Sequence, residues 1–179
     1  ANIEAAAVDS LRRLGTDRID LYYAHHDDSE VPLEETLGAF DALVRMGAVR
    51  YVAASNYTAD RLEEALAVSA REGFVSYVAL QPEYNLVART YEDELRGVCE
   101  RHSLSCFPYF GLARGFLTGK YRPGGERIDS PRADGALQHL DASGLAVLAA
   151  LDQIAAAHGT TLAAVALAWL VAQPTVVAP

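Results

Sequence analysis

The chain has 179 residues, of which 51% are hydrophobic, and its formal net charge is −9. This length is enough for one globular domain with a buried core, and the acidic balance argues against general binding to nucleic acids or anionic membranes. No apolar stretch reaches the roughly 18 residues that cross a bilayer, and charged residues interrupt the N-terminus where the apolar region of a signal peptide would lie.

Apolar periodicity predicts an alternation of helices and strands. The N-terminal segment has apolar residues at helical spacing and ends at Gly15. Further along, short apolar runs predict strands, and amphipathic stretches with capping residues predict helices. The predicted strands cover residues 19–25, 49–55, 76–81, 104–109 and the segment from 175, and the predicted helices cover residues 33–46, 59–72, 91–102, 142–158 and 161–172.

Five strands that each follow a helix predict an α/β fold with a parallel sheet. Since this pattern does not change along the chain, we expect about five βα units of an incomplete (β/α)8 TIM barrel, in one partial domain over residues 1–179. An open, doubly wound sheet is the alternative.

The chain begins within a helix and only starts its last strand at Thr175, so we expect it to be part of a longer protein. Residues 111–141 form the longest irregular stretch, where we expect a functional or mobile loop.

Polar and aromatic residues follow four of the predicted strands. His25 ends the first, Ser55 and Asn56 end the second, Gln81 ends the third, and Tyr109 ends the fourth. Because the carboxyl ends of parallel strands meet at one rim of a sheet, these side chains should line a common pocket. Hydroxyl and amide groups can bind a carboxamide and a tyrosine ring can stack on a flat ring, so the set suits a nicotinamide.

Each of these residues also has a purely structural interpretation. His25 can bond to backbone at the end of its strand, and Ser55 or Asn56 can cap the turn that follows theirs. The run from His25 to Asp28 invites a metal site. Adjacent residues on a strand point to opposite faces, however, so His25 and His26 should not share an ion, and we expect no metal.

Four segments resemble the aldo-keto reductases, in the same order as in that family. They are SLRRLGTDRIDLY with the following His25, VRYVAASNY at residues 49–57, QPEYN at residues 81–85, and PY at residues 108–109 with GFLTGKY at residues 115–121. The resemblance covers essentially the whole chain. It implies a (β/α)8 barrel, NADP(H) as the cofactor, and a small carbonyl compound as the substrate.

The resemblance also implies roles for individual residues. His25 matches the histidine that orients and polarises the substrate carbonyl, and Tyr109 matches the residue that stacks on the nicotinamide. The matches to the carboxamide ligands are Ser55, Asn56 and Gln81. The loop that crosses the pyrophosphate runs from Leu112 to Arg122, and the cofactor contacts expected around it are Phe110, Gly111, Leu112, Arg114, Lys120 and Arg122.

The chain departs from the family in two respects. The family commonly has Ser-Pro after the tyrosine, where this chain has Phe110 and Gly111, so backbone and bulk replace a hydroxyl. The family's catalytic Asp, Tyr and Lys come from earlier strands, which leaves His25 as the member of that set in this chain. We therefore expect the 179 residues alone to be inactive. If they were active, the acid would have to be sought among Tyr22, Tyr23, Tyr57 and Tyr84.

We expect the complete protein to be an NADPH-dependent oxidoreductase that reduces aldehydes or ketones, without nucleic-acid or membrane partners. Cys99 and Cys106 show no disulfide-rich pattern, which favours a cytoplasmic location. The alternative is a non-catalytic, NADPH-sensing regulatory subunit on the same barrel, like the β-subunits of potassium channels. A metal-dependent barrel hydrolase is the third possibility.

Overall fold

The computed structural model describes residues 2–125 and 128–179, in which helices and strands alternate until the last strand. The strands are β1 (Ile19–Ala24), β2 (Val49–Ser55), β3 (Tyr77–Gln81) and β4 (Ser105–Cys106). The helices are α1 (Asn2–Leu14), α2 (Leu33–Arg45), α3 (Ala59–Glu72), α4 (Leu95–Arg101), α5 (Ala133–Leu137), α6 (Ala142–His158) and α7 (Leu162–Val171). Two 3-10 segments cover Thr90–Glu92 and Ala113–Thr118.

The four strands form one sheet in the order β1-β2-β3-β4. The pairs β1–β2 and β2–β3 are parallel. This confirms the predicted α/β fold with a parallel sheet, and it is consistent with an incomplete (β/α)8 barrel.

Two predicted elements are shorter in the structure. The strand expected over residues 104–109 is reduced to β4, followed by an isolated bridge between Glu83 and Tyr109. Pro108 has no N–H to donate, which limits pairing at this point. The last strand contributes only a bridge between Cys106 and Val176.

Two other predicted elements are divided differently. The helix expected over residues 91–102 is a 3-10 turn followed by α4. The loop expected over residues 111–141 contains the second 3-10 segment and α5. Two residues of that predicted loop, Glu126 and Arg127, lie outside the described residues.

Contacts divide the chain into two compact units. The first unit comprises Ala1–Gln81 and Gly97–Ser105, and the second comprises Pro82–Arg96 and Cys106–Pro179. The single domain over residues 1–179 stays a prediction.

In the first unit, α2 covers the sheet with one apolar face. Leu37, Phe40 and Leu43 are buried at spacings of three and four residues, which places them on the same side of the helix. The Phe40 ring lies 6.0 Å from that of Tyr22 on β1 and 6.3 Å from that of Tyr77 on β3, edge to face in both cases. These contacts hold the strands whose ends carry the predicted site.

In the second unit, the core joins the 3-10 segment Ala113–Thr118 to α6 and α7. Phe116 and Leu117 are buried against Leu148, Leu151 and Ala166.

Within the described residues, no single helix is long and apolar enough to cross a membrane. Helices α6 and α7 meet that criterion only as a pair, and they are bent by 99° at the break between them.

Candidate functional site

The register of the sheet brings the predicted residues of the first three strands to one level. Ala24 pairs with Ala54, and Ser55 pairs with Gln81. His25, which follows Ala24, therefore lies at the level of Ser55, at the carboxyl ends of the parallel strands. We call this group the strand-end cluster; it consists of His25, Ser55, Asn56 and Gln81.

Side-chain hydrogen bonds connect these strand ends. Ser55 Oγ donates to the carbonyl oxygen of Gln81 at 2.9 Å. Asn56 Nδ2 donates to Ser55 Oγ at 3.1 Å and to the carbonyl oxygen of His25 at 2.9 Å. Asn56 has a left-handed backbone with φ 57°, a conformation that asparagine adopts more readily than most residues. The bonds fix the backbone on which His25 and Gln81 are carried.

These contacts match the structural interpretation of Ser55 and Asn56. Because Ser55 Oγ uses its single proton on Gln81, it can meet a ligand only as an acceptor. Among the described residues, the side-chain amide of Gln81 has no hydrogen-bond partner, so both its donor and its acceptor are available. The role of all three as carboxamide ligands stays a prediction.

His25 and His26 lie side by side. Their ring centroids are 4.4 Å apart with an angle of 46° between the planes. The expectation that they point to opposite faces is wrong, because β1 ends at Ala24 and the alternation of a strand ends with it. The described residues contain no group of three His, Cys, Asp or Glu side chains arranged to hold a metal ion. His25 is exposed and lines a cavity of about 520 Å³ in the first unit.

The loop that follows His26 is held by Arg61 of α3. Arg61 Nε donates to the two carboxylate oxygens of Asp27 at 3.0 and 2.9 Å, and Nη2 donates to the carbonyl oxygen of Val31 at 3.3 Å. Both side chains of the ion pair are only 19% exposed, so solvent screens it less than a surface pair. The arginine thus fixes two points of one loop, a role without a signal in the sequence.

Two tyrosines considered as replacement acids are bonded inside the protein. The hydroxyls of Tyr57 and Tyr77 are 3.1 Å apart, and burial raises the pKa of both. Tyr84 donates to Glu92 Oε1 at 2.7 Å, and burial together with that carboxylate raises the pKa of Tyr84. A phenol with a raised pKa is a weaker acid, so Tyr57 and Tyr84 are poorly suited to protonate a product.

In the second unit, a buried asparagine organises the predicted cofactor loop. Asn85 is 1% exposed, and its Nδ2 donates to the carbonyl oxygen of Phe110 at 3.0 Å. Its Oδ1 accepts from the backbone N–H groups of Val87 and Ala88, both at 2.9 Å. Sequence reasoning placed Asn85 in a family motif but gave it no role. Its side chain holds the turn at Phe110.

The loop after Tyr109 has an unusual backbone. Phe110, Ala113 and Arg114 have φ values of 53°, 48° and 56°. Left-handed backbone costs a non-glycine residue about 1–2 kcal/mol. Such strain persists only where the surrounding contacts impose it, here the hydrogen bond from Asn85 and one from Ala113 N to the Phe110 carbonyl oxygen at 2.7 Å.

This loop borders a cavity of about 720 Å³ in the second unit. We call the predicted residues that line it the loop cluster; they are Tyr109, Phe110, Gly111, Leu112, Arg114 and Lys120. Ser130 and Arg132, which sequence reasoning missed, line the same cavity. No sequence motif pointed to these two residues, because they lie in a stretch without periodicity.

The cavity of the loop cluster is basic in an acidic chain. Arg114, Lys120 and Arg132 line it, and among the described residues none of the three forms an ion pair with a carboxylate. Uncompensated cations around one cavity attract and bind anions, phosphates above all. Burial raises the pKa of the Tyr109 hydroxyl in the same wall, with the carboxylate of Glu83 adding to the effect, so this ring is neutral near pH 7.

The remaining predicted cation, Arg122, does not line the cavity. Its Nη2 donates to Asp152 Oδ1 of α6 at 2.8 Å, and its Nε donates to the carbonyl oxygen of Gly119 at 3.0 Å. Its charge is therefore already paired. The structure groups six of the seven predicted residues of this region and leaves Arg122 outside the lining.

A parallel α/β sheet with polar side chains at its strand ends occurs in many classes of α/β protein, and comparison with known sequences identifies the family. The sequence profile of the Aldo/keto reductase family matches residues 1–179. This chain belongs to the aldo/keto reductase family.

Several curated relatives share about a third of its residues. A probable voltage-gated potassium channel subunit beta of Arabidopsis thaliana is 34% identical over 173 residues, which is 93% of this chain and 53% of that protein. An aldo-keto reductase of Schizosaccharomyces pombe, named for NADP(+), is 34% identical over 180 residues, or 96% of this chain and 50% of that protein. The L-glyceraldehyde 3-phosphate reductase of Escherichia coli is 30% identical over 168 residues, or 90% of this chain and 48% of that protein. The chain spans about half the length of the curated relatives it matches.

Proposed function

We propose that the full-length protein uses NADPH to reduce aldehydes or ketones to alcohols. The observation that carries this proposal is the cavity of the loop cluster, where three cations without carboxylate partners among the described residues accompany a tyrosine ring. Cations suit the phosphates of a dinucleotide, and an aromatic ring suits its nicotinamide. The residues present therefore fit this cofactor.

Each cluster has groups that suit one part of the cofactor. In the strand-end cluster, the amide of Gln81 offers a donor and an acceptor to the carboxamide, and Ser55 offers an acceptor. In the loop cluster, Tyr109 offers its ring. The cations for the phosphates are Arg114, Lys120 and Arg132. When bound, NADPH supplies the hydride that reaches the carbonyl carbon.

His25 would act on the substrate. Its imidazole is exposed to a cavity, while the bond from Asn56 holds its backbone. An imidazole N–H can donate to a carbonyl oxygen and stabilise the negative charge that develops there during reduction. His25 would therefore orient and polarise the carbonyl.

The names of the relatives support both parts of this proposal. One relative is named for NADP(+), and another is named as the reductase of a phosphorylated aldehyde. We extend the cofactor and the carbonyl class of substrate to this protein on that basis. The sparse cysteines, without a disulfide-rich pattern, support a cytoplasmic location.

A second candidate function is a cofactor-sensing regulatory subunit. Two plant relatives, each 34% identical over 173 residues, carry the name of a probable potassium channel β-subunit. This alternative needs the cofactor site but not His25. A full-length protein that binds NADPH but turns over no carbonyl compound would favour this alternative.

The test measures NADPH consumption by the full-length protein with a panel of small aldehydes and ketones, beside an NADPH binding titration. We expect saturable binding and turnover of at least one carbonyl compound. Binding without turnover would favour the regulatory subunit. The absence of both would contradict the proposed function.

A further inference from the structure

The side chain of Arg114 is enclosed on two sides. On one side, its guanidinium carbon lies 4.1 Å from the centroid of the Phe110 ring. On the other side lies Gly135 of α5, where a Cβ atom would stand only 2.4 Å from Arg114 Cδ and 3.0 Å from Nε. No residue with a side chain fits at position 135 while Arg114 keeps this position.

Both ends of the Phe110–Arg114 pair are fixed by backbone. Phe110 and Arg114 each have a left-handed backbone conformation, and the side chain of Asn85 donates a hydrogen bond to the Phe110 carbonyl oxygen. A guanidinium stacked on an aromatic ring gains cation–π stabilisation and leaves its N–H groups in the plane free for hydrogen bonds. The stack therefore orients the arginine without using its donors.

The oriented arginine has no carboxylate to bind among the described residues. It lines the cavity of the loop cluster together with Lys120 and Arg132. Holding a long side chain in one position before a ligand arrives lowers the entropy that binding must overcome. The stack is thus suited to a ligand that accepts two parallel hydrogen bonds from the guanidinium, such as a phosphate group.

We propose that Phe110 and Gly135 are positioning residues that hold Arg114 as a phosphate ligand of this cavity. The inference rests on the proposed function, because the phosphate in question is that of the dinucleotide. It explains why this chain has an aromatic residue at position 110, where a serine is common in the family. It also makes α5, which lies outside every sequence motif, part of the cofactor site.

The test substitutes Gly135→Ala in the full-length protein. The new Cβ would displace the Arg114 side chain at Cδ and Nε, and with it the guanidinium. The dissociation constant for NADPH should therefore rise roughly 10-fold, as expected when one charge-assisted hydrogen bond to phosphate is weakened. Gly38→Ala is the matched control. It also adds a methyl to a helix, but the nearest atom is Phe74 Cζ at 3.6 Å, an ordinary contact, so binding should not change.

A second variant keeps the test independent of the fit at position 135. Phe110→Leu retains apolar bulk but removes the ring face, and we expect the dissociation constant to rise about 3-fold. In both variants the affinity should also depend less on salt than in the wild type, since one cation contributes less. A purely structural role would lower the active fraction or the melting temperature and leave this salt dependence unchanged.

Binding of inorganic pyrophosphate separates the two levels of the proposal. If the wild type binds pyrophosphate but not NADPH, and Gly135→Ala weakens pyrophosphate, the positioning role stands and the dinucleotide is wrong. If the wild type binds NADPH, and Gly135→Ala and Phe110→Leu both match the wild type in affinity and salt dependence, the positioning role is wrong. If the wild type binds neither pyrophosphate nor NADPH, both the positioning role and the dinucleotide are wrong.

Discussion

The two clusters differ in how the fold positions their side chains. In the strand-end cluster, the sheet register aligns the residues, and Asn56 and Ser55 bond to the carbonyl oxygens of neighbouring strand ends. In the loop cluster, strained backbone and one buried asparagine shape the wall, and the cations have no carboxylate partners among the described residues. Hydrogen bonds hold the backbone of the first region without a ligand. In the second region, no carboxylate of the described residues balances the charges of the cations.

This difference indicates a division of tasks. A region whose polar groups are already bonded keeps its geometry when the ligand leaves, which suits the orientation of a reacting carbonyl. A region with unpaired cations gains most of its stabilisation when an anion arrives. We therefore expect loss of His25 from the strand-end cluster to affect turnover. Changes at the groups proposed to bind the cofactor, which are Gln81 and the loop cluster, should affect cofactor affinity.

The largest effect is expected for His25→Ala in the full-length protein. Loss of the imidazole removes the group that polarises the carbonyl, so kcat should fall about 100-fold or more. The affinity for NADPH should stay close to that of the wild type. Steady-state kinetics and a cofactor titration check both values. Equal turnover in the variant would return His25 to a structural role at the end of β1.

Gln81→Ala and Tyr109→Ala should mainly weaken NADPH binding. Each variant removes hydrogen bonds or stacking to the nicotinamide, and we expect a loss of about 1–3 kcal/mol in binding free energy. Gln81→Ala sharpens the comparison, because Gln81 belongs to the strand-end cluster but its amide has no hydrogen-bond partner in the part of the chain that the structure describes. Titrations indistinguishable from the wild type would remove both residues from the site.

Arg132→Met and Arg122→Met compare a cation that has no carboxylate partner among the described residues with one that is paired. Arg132 lines the cavity, so its loss should weaken NADPH binding by about 1 kcal/mol. Arg122 is bonded to Asp152, so its loss should lower the melting temperature and leave the affinity for NADPH close to that of the wild type. A larger loss of affinity in Arg122→Met than in Arg132→Met would show that the cavity does not mark the phosphate site.

The smallest effect concerns an ion pair of the second unit, between Arg89 and Glu92. Arg89 binds the Glu92 carboxylate with two hydrogen bonds at 2.7 and 2.8 Å and, with Tyr84, lowers its pKa. A lowered pKa in the folded state adds stability above the unfolded pKa, and this stability is lost as the pH falls through the folded value. At pH 7, Glu92→Gln should therefore lower the free energy of unfolding by about 1 kcal/mol. The difference from the wild type should shrink below about pH 4.

Glu63→Gln is the control for this prediction in the first unit. The Glu63 side chain is 36% exposed, against 18% for Glu92, and its pKa is also lowered, chiefly by the hydrogen bond from Arg101. Solvent screens the exposed pair more, so its loss should cost less. Denaturation curves at pH 7 and below pH 4 measure both variants. A difference for Glu92→Gln that grows on acidification would contradict the assigned pKa direction.

Local sequence patterns predicted what depends on local structure. The caps of α3 illustrate this, because threonine is favoured at the start of a helix and glycine just after its end. Thr58 Oγ1 accepts from Arg61 N, and Gly73 ends the helix with a left-handed backbone. The strands β1 to β3 lie within one residue of the ends that their apolar runs predict. The strand-end cluster follows from these boundaries.

Tertiary contacts decided the features that the sequence did not reveal. The helix expected over residues 91–102 begins as a 3-10 turn in which Tyr91 is buried, with its hydroxyl 2.6 Å from Thr175 Oγ1. The partner of this hydroxyl lies 84 positions away along the chain, beyond the reach of periodicity. Arg132 and Gly135 reach the loop cluster in the same way, through folding of a stretch without a regular pattern. Their role could not be read from spacing.

A crystal structure of the full-length protein with NADPH tests the division of the site most directly. We predict that the phosphates contact Arg114, Lys120 and Arg132, with the Arg114 guanidinium still stacked on Phe110. We also predict that the carboxamide contacts the side chain of Gln81. Phosphates bound away from these three cations, or a carboxamide away from the strand-end cluster, would contradict the account.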